Sequence, residues 1–309
     1  SNVDMAKLKY EFLAGYYKRH RIPLRARIFA NINTISRLAS RFAPLSNLVA
    51  RNPLTGLLGH WFLSIHRKRS LPRFVRTTLP ESFKRSHALL SSAPSSPGSR
   101  RATSPYPYIP AEKLDPQRTV VVFNDTFMDC NEPQVGMAAV ELLEAAGFMV
   151  LLANPGCCGR PMISKGMLEQ AREHARTNVA RLYPYAQAGV PIIGCEPSCL
   201  LTLRDEYPDL LCSQEARVIA ERSFLLDEFL VKLHNEGQLN LNFKETPEKV
   251  LLHGHCHQKA LVGTAASVVA LRLVPGLQVE EIDSGCCGMA GAFGYEKEHY
   301  DISMAIGER

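Results

Sequence analysis

The sequence predicts an α/β fold. It reads as two repeated open α/β units with parallel-type strands and cysteine loops at the strand ends, preceded by a helical arm. Three observations predict it. From residue 119 onward, short apolar runs alternate with longer helical patterns, the signature of strands joined by helices. The four main cysteine loops each follow such a run: Cys157-Cys158-Gly159, Cys195-Glu196-Pro197-Ser198-Cys199, His253-Gly254-His255-Cys256-His257-Gln258 and Ser284-Gly285-Cys286-Cys287-Gly288. The theme also repeats. Twenty-six residues separate Cys130 from Cys157-Cys158, and twenty-nine separate Cys256 from Cys286-Cys287.

The first third is an arm of different composition. Leu8, Phe12 and Tyr16 recur at four-residue steps in a helix over 4–20, and Pro23 breaks it. A second apolar pattern runs from Ile28 through Ile32, Ile35 and Leu38 to Phe42, and weaker helical pieces surround Leu48 and cover 54–66. Residues 91–111 are a Ser/Pro-rich linker that cannot bury enough surface to offset its ordering entropy. The expected organisation is therefore a basic helical arm over 1–90, the linker over 91–111, and a tandem cysteine-rich domain over 112–309.

In that domain, 119–123 reads as a strand and 134–146 as a helix closed by Gly147. A second strand over 148–153 enters the first Cys-Cys-Gly. Then come a long helix over 164–188, a short strand over 190–193, a helical turn over 200–206 and a long helix over 215–234. The second unit has a strand over 249–252, a helix over 260–273, a strand over 277–282 and a last helix over 297–307. Only twenty-two residues follow Cys287. The repeat therefore predicts a third strand and cysteine loop beyond the C-terminus.

Composition narrows the function classes. The 309 residues contain nine cysteines, an odd number with two adjacent pairs, which fits a secreted disulfide framework poorly. There is neither an apolar run of membrane-spanning length nor a signal-peptide core. The expected location is cytoplasmic, with a peripheral place at the inner membrane left open. Residues 1–110 hold nineteen Lys or Arg against three Asp or Glu, although the whole chain is only +6. Such a stretch can meet nucleic acid, an anionic membrane or an acidic neighbour. It has no zinc finger, recognition helix or aromatic RNA-binding motif. Packing on an acidic neighbour is the favoured reading, nucleic acid is not expected, and membrane-surface contact stays open.

Thiols gathered at strand ends point to a metal or iron–sulfur site, because ligands of open α/β sheets collect beyond the C-terminal strand ends. Adjacent cysteines diverge and cannot easily chelate one small ion, but they can ligate different irons. Cys157, Cys158, Cys199, Cys256, Cys286 and Cys287 are the main candidates. Cys130 and Cys195 are weaker ones, and Cys212 lies in no motif. His253, His255 and His257 alternate, so an extended segment would place them on one face. They read as donors or proton carriers beside the thiols, with plain structural hydrogen bonding and zinc ligation alongside Cys256 as the other options. No Gly-x-Gly-x-x-Gly or Walker-type loop supports nucleotide binding.

These stretches also carry a resemblance. Asn124-Asp125-Thr126-Phe127, Cys157-Cys158-Gly159-Arg160-Pro161, Glu196-Pro197-Ser198-Cys199, Leu203-Arg204-Asp205-Glu206, His253 to Ala260, Cys286 to Gly291, Phe293-Gly294-Tyr295 and His299-Tyr300 resemble the cysteine-rich "CCG" domain family. That family occurs in heterodisulfide reductases, anaerobic glycerol-3-phosphate dehydrogenase and glycolate and lactate oxidation proteins. The chain looks most similar to the C-terminal part of bacterial FAD-linked oxidases of the D-2-hydroxyglutarate or D-lactate dehydrogenase type.

The resemblance implies a [4Fe–4S] cluster on Cys157, Cys158, Cys199, Cys256, Cys286 and Cys287, with Cys130 and Cys195 as extras. The family's closing Cys-x-x-Cys is one residue longer here, from Cys195 to Cys199. The resemblance further implies that FAD belongs to a preceding part of the parent protein and that a ferredoxin-like segment ends just before residue 1. A fragment so cut is expected to be inactive alone and prone to lose its cluster. The expected function is electron transfer from flavin, during D-2-hydroxy acid oxidation, to a quinone or other acceptor. The partners implied are the protein's own FAD-binding and ferredoxin-like domains. The rival readings are a heterodisulfide-reductase-like catalytic cluster or thiol domain, and a non-redox zinc or metal-free docking scaffold.

Overall fold

A run of β-branched residues forms the centre of the molecule. In the computed structural model, which describes residues 4–88, 113–153 and 156–308, β1 (Thr119–Val122) is buried at all four positions. Burial on both faces is what a central parallel strand requires. Around it lie β2 (Met149–Leu152), β3 (Ile192–Gly194) and β4 (Ser223–Leu225), all parallel, in the order β2-β1-β3-β4. The register sets Val120 against Val150, Val121 against Ile192, and Ile193 against Phe224.

Side chains alternate along these strands, so the sheet has two cores. One face carries Val121, Leu151 and Ile192 against Ala175, Val179 and Leu182 of α10 (Leu168–Gln187) and Ile219 of α13 (Gln214–Arg222). The other carries Val120, Val122, Val150 and Ile193. It meets Val140 and Leu143 of α8 (Pro133–Ala145), Phe229 and Leu233 of α14 (Leu226–Asn235), and Leu79 and Phe83 of α6 (Leu79–Ala88). Each fully buried apolar side chain contributes about 1.5–3 kcal/mol relative to exposure.

The second sheet is smaller. β5 (Lys249–Leu252) pairs in parallel with β6 (Gln278–Glu281), with α15 (Cys256–Leu261) and α16 (Ala265–Arg272) between them. None of the eight strand residues is fully buried, and Leu251 is 59% exposed.

One helix expected from sequence is divided, and another starts later than expected. The stretch 215–234 is not continuous: it unwinds at β4, because the open edge of β3 takes Ser223–Leu225 as its partner. The helix expected over 164–188 is α10, which starts four residues later, and a separate short helix, α9 (Arg160–Ser164), precedes it across Gly166 (φ +71°). A Cβ there would lie 2.4 Å from the Leu13 side chain, so the break lets the arm dock.

The arm consists of α1 (Met5–Tyr17), α2 (Leu24–Ala30), α3 (Ile32–Arg41), α4 (Leu45–Arg51), α5 (Pro53–Phe62) and α6. Tyr10 and Ala30 are buried against Met162, Ile163, Met167 and Leu168. Its cations reach acidic groups of the body. Lys7 pairs with Asp209 at 2.7 Å and Asp205 at 3.4 Å, Arg37 meets Asp129 at 3.8 Å, and Arg25 is bidentate on Glu298. The segment after α5 docks on the chain's last turn, where His66 N–H donates to Tyr295 O, Lys297 N–H donates to Ser64 O, and His66 stacks on Tyr300. The expected linker over 91–111 lies outside the described residues.

Candidate functional site

The first thiol group is built where β2 and β3 end. Cys157 and Cys158 leave β2 and are each 3% exposed. Cys199 lies in α11 (Pro197–Leu201), just past β3. Its Sγ is 3.2 Å from that of Cys158, and all nine cysteines are free. Gly159 permits the turn: it sits at φ +87° as the residue before α9.

The Cys157–Cys158 backbone is held by two side chains that the sequence reading did not single out. Asn178 and Tyr207 are both fully buried. Asn178 Oδ1 accepts from Gly156 N–H at 2.9 Å. Its Nδ2 donates to Cys157 O at 2.9 Å and to the Tyr207 hydroxyl at 2.8 Å. Tyr207 Oη in turn donates to Cys158 O at 3.0 Å. Every polar atom of this buried network is partnered, the condition under which such networks rigidify rather than destabilise. One signal could have exposed Asn178. It occupies the core face of α10, in register with Ala171, Ala175 and Leu182, where a polar side chain needs buried partners.

The electrostatics of this group disfavour thiolates. The hydrogen bond that the Cys157 thiol makes to Cys158, with burial, pushes Cys157 up. For Cys158, contact with Cys157 favours the thiolate, but contact with Cys199 and burial outweigh it. Contact with Cys158 also favours ionised Cys199, and burial with the nearby Glu196 and Asp125 outweighs that. Asp125 is itself pushed up to about 6, by burial and then by Glu196. Its Oδ1 caps α7 (Thr126–Cys130), while Oδ2 is buried without a partner. Crowded soft donors that resist ionisation are held as thiolates most readily by bound cationic metal, which displaces their protons.

Cys195 and Cys199 part company. Cys199 belongs to the core of one sheet face, whereas Cys195 packs against the core of the other. Burial pushes the Cys195 thiol up to about 12, with Asp125 and Asp227 adding to it. Cys130 stands apart: it closes α7, and its backbone carbonyl accepts from Ser40 Oγ of the arm at 3.3 Å. Its repeat counterpart Cys256 instead opens α15. Cys212 is an exposed thiol at the end of a short helix, Tyr207–Leu211.

The second thiol group gathers Cys256 with Cys286 and Cys287. Burial first, then Cys286 and Cys287, push Cys256 up. Cys256 and Cys287 are exposed and Cys286 half-buried. Gly288 lies against the last helix, α17 (Tyr300–Gly307), so closely that a Cβ would be 2.1 Å from Ser303 O.

The three histidines do not share a face, because the chain leaves its extended form at Cys256. His253 Nδ1 lies 3.0 Å from Ser284 Oγ, tying the two loops of the second unit together. His255 Nδ1 accepts from His257 N–H, and its Nε2 lies 3.3 Å from Ser198 Oγ. His257 is driven down to about 4 by burial, with Arg160 and His255 adding to it, and its Nδ1 is buried without a partner. Arg160 is ion-paired to buried Glu206. Through His255 and His257, the loop of the second unit abuts the residues flanking Cys158 and Cys199.

Donor chemistry fits an iron–sulfur group better than a single ion. Among the described residues, the one set of three donors with all ligand atoms within 4.8 Å of each other is Glu296, Glu298 and His299. Those carboxylates are already met by Arg25 and Lys165. The thiols are therefore too spread for one tetrahedral ion, while separate irons of a cluster accept wider spacing.

Comparisons with known proteins find relatives of this cysteine-rich chain. A family model described as a cysteine-rich domain, CCG, matches residues 122–204. The chain is 31% identical over 294 residues to one subunit of the anaerobic glycerol-3-phosphate dehydrogenase of Escherichia coli K12, covering 94% of this chain and 68% of that one. It is 28% identical over 318 residues to D-2-hydroxyglutarate dehydrogenase of the same strain, of which it spans 28%. It is 29% identical over 198 residues to lactate utilization protein A of an Exiguobacterium strain, covering 60% of this chain and 77% of that one. No solved structure matches.

Proposed function

The chain belongs to the cysteine-rich family that includes this subunit of anaerobic glycerol-3-phosphate dehydrogenase, and from that premise we propose that it is the iron–sulfur electron-transfer module of a larger FAD-dependent oxidoreductase. The observation that carries the reading is the group of Cys157, Cys158 and Cys199, buried and crowded at strand ends with a fully partnered backbone.

Cys157, Cys158 and Cys199 would hold one side of the group, and Cys256, Cys286 and Cys287 the other. When bound, an iron–sulfur cluster supplies one-electron carriage. The protein's part is to place and insulate it. Asn178 and Tyr207 fix the loop, burial excludes water, and the His255–Ser198 contact brings the two loops together. The flavin and a ferredoxin-like segment would belong to other parts of the parent. The electrons would come from a D-2-hydroxy acid or a related substrate and leave to a quinone or similar acceptor.

A second reading has its own observation. Cys158 and Cys199, 3.2 Å apart and free, could close to a disulfide, releasing two electrons and two protons to an acceptor. That would make the domain a thiol catalyst of the heterodisulfide type.

One experiment separates the two. Iron and acid-labile sulfide are measured in the chain purified and reconstituted without oxygen, with an EPR spectrum after dithionite reduction. The proposal expects about equal iron and sulfide, near four each, with a reducible signal that Cys158→Ser abolishes. Absence of iron together with a reversible Cys158–Cys199 disulfide, mapped by mass spectrometry, would replace it with the second reading.

A further inference from the structure

We infer that the α4–α5 hairpin is an interfacial element that seats the protein on an anionic membrane surface. The inference stands apart from the cluster reading, because it uses none of the thiols.

The hairpin is apolar on the outside. Neither helix has a buried residue. Leu45, Leu48 and Val49 of α4 recur at one-turn spacing and face solvent, Leu48 at 68% exposure. Leu54, Leu57, Leu58, Trp61 and Phe62 do the same along α5, with Leu54 at 69%, Trp61 at 75% and Phe62 at 77%. Residues at these intervals form one stripe. Eight large apolar side chains exposed within eighteen residues exceed what a solvated surface carries without a partner. The inner side is loosely filled. An open cavity of about 460 Å³ lies between the hairpin and the 65–74 segment, with Leu45 and Val49 of the stripe at its edge, and a Cβ added at Gly56 or Gly59 would meet nothing within 4 Å. The pair is thus attached without being embedded.

Charge selects the occupant. From Phe12 to Pro80 there is no Asp or Glu, against thirteen Lys or Arg. Arg25 and Arg37 are turned to acidic groups of the body. Arg41, Arg51 and Arg67, which bracket the stripe, are exposed. An apolar stripe with an aromatic end and a purely cationic surround is the pattern of a helix lying in the headgroup region. No helix of the described residues is long and apolar enough to cross a membrane.

The chain supplies its own probe, since Trp61 is its one tryptophan. Its fluorescence is followed as the full chain is titrated with phosphatidylcholine vesicles, with or without phosphatidylglycerol, and with brominated lipid as a quencher. The inference expects a blue shift, quenching by the brominated lipid, and partition stronger by about tenfold or more on the anionic vesicles, falling with added salt. Leu54→Glu with Leu58→Glu, both at exposed positions, should weaken partition by about tenfold or more at an unchanged circular-dichroism melt. Leu251→Glu, equally exposed on the second sheet, should leave partition unchanged. A Trp61 spectrum unaltered by vesicles overturns the inference. So does a blue shift that appears with protein concentration alone, which would assign the stripe to a second copy. Equal loss of partition in Leu251→Glu also overturns it.

Discussion

The two units carry the same Cys-Cys-Gly motif in opposite settings. In the first, four parallel strands are covered on both faces, and Cys157 and Cys158 are buried with their carbonyls held by Asn178 and Tyr207. In the second, two strands stand largely exposed, and Cys286 and Cys287 are reached by solvent. The motif therefore specifies a turn and a pair of thiols, while the surrounding layers decide whether those thiols are rigid and dry. Gly159 and Gly288 show the same contrast. Both have positive φ, but Gly159 needs it only for the turn, whereas Gly288 also leaves room for the Ser303 carbonyl.

The sharpest way to break this comparison is to map alkylation rates by mass spectrometry in the metal-free chain. Cys256 and Cys287 should react about 1,000-fold faster than Cys157, Cys158 and Cys199, which must wait for local opening. Rates within about tenfold of each other would erase the distinction. Next in size is the buried network. Asn178→Leu leaves Gly156 N–H and Cys157 O without partners, and should cost about 3 kcal/mol in urea unfolding. Tyr207→Phe, losing one hydroxyl, should cost about 1–2 kcal/mol. Losses below about 0.5 kcal/mol for both, the range of an ordinary surface substitution, would mean that the network is not rigid.

The glycines come third. Gly288→Ala should cost about 2 kcal/mol or more, because the new methyl meets backbone. Gly159→Ala has ordinary contacts at 3.5 Å and should cost only the left-handed penalty of about 1 kcal/mol. The reverse order, in thermal melts of the two variants, would contradict the packing of α17.

The smallest effect is ionic. Arg25 holds the Glu298 carboxyl down to about 2, against 4.5 for the free group. A carboxyl depressed in the folded state stabilises above its unfolded pKa and loses that contribution as pH falls through the folded one. Stability should therefore drop between pH 4.5 and about 2, and Arg25→Ala should flatten that part of the curve. Because the Glu298 side chain is 48% exposed, the difference should be about 0.5 kcal/mol. A parallel pair of curves would mean that solvent has screened the pair completely.

Much of this was readable in the chain. The strands at 119–122, 149–152 and 192–194 fall on their apolar runs, since burial on both faces leaves a continuous hydrophobic signal, and those at 249–252 and 278–281 fall inside the expected strands although neither is fully buried. β4 was not readable. Ser223-Phe224-Leu225 lies within a helical pattern and becomes a strand only because β3 offers an unpaired edge. The histidines misled for a related reason. Their alternation implies one face only if the backbone stays extended, and α15 begins beneath the second of them.

The sequence by itself determined the parallel α/β class, the thiols at strand ends and the family, because periodicity and motif spacing are local properties. Tertiary structure alone decided which thiols meet. Cys195 and Cys199 are four residues apart yet belong to opposite faces of the sheet, while Cys158 and Cys199, forty-one apart, touch. It also decided that Asn178 and Tyr207 hold the first pair in place. Neither choice is written in local pattern, since each depends on which buried polar groups find partners when the layers close.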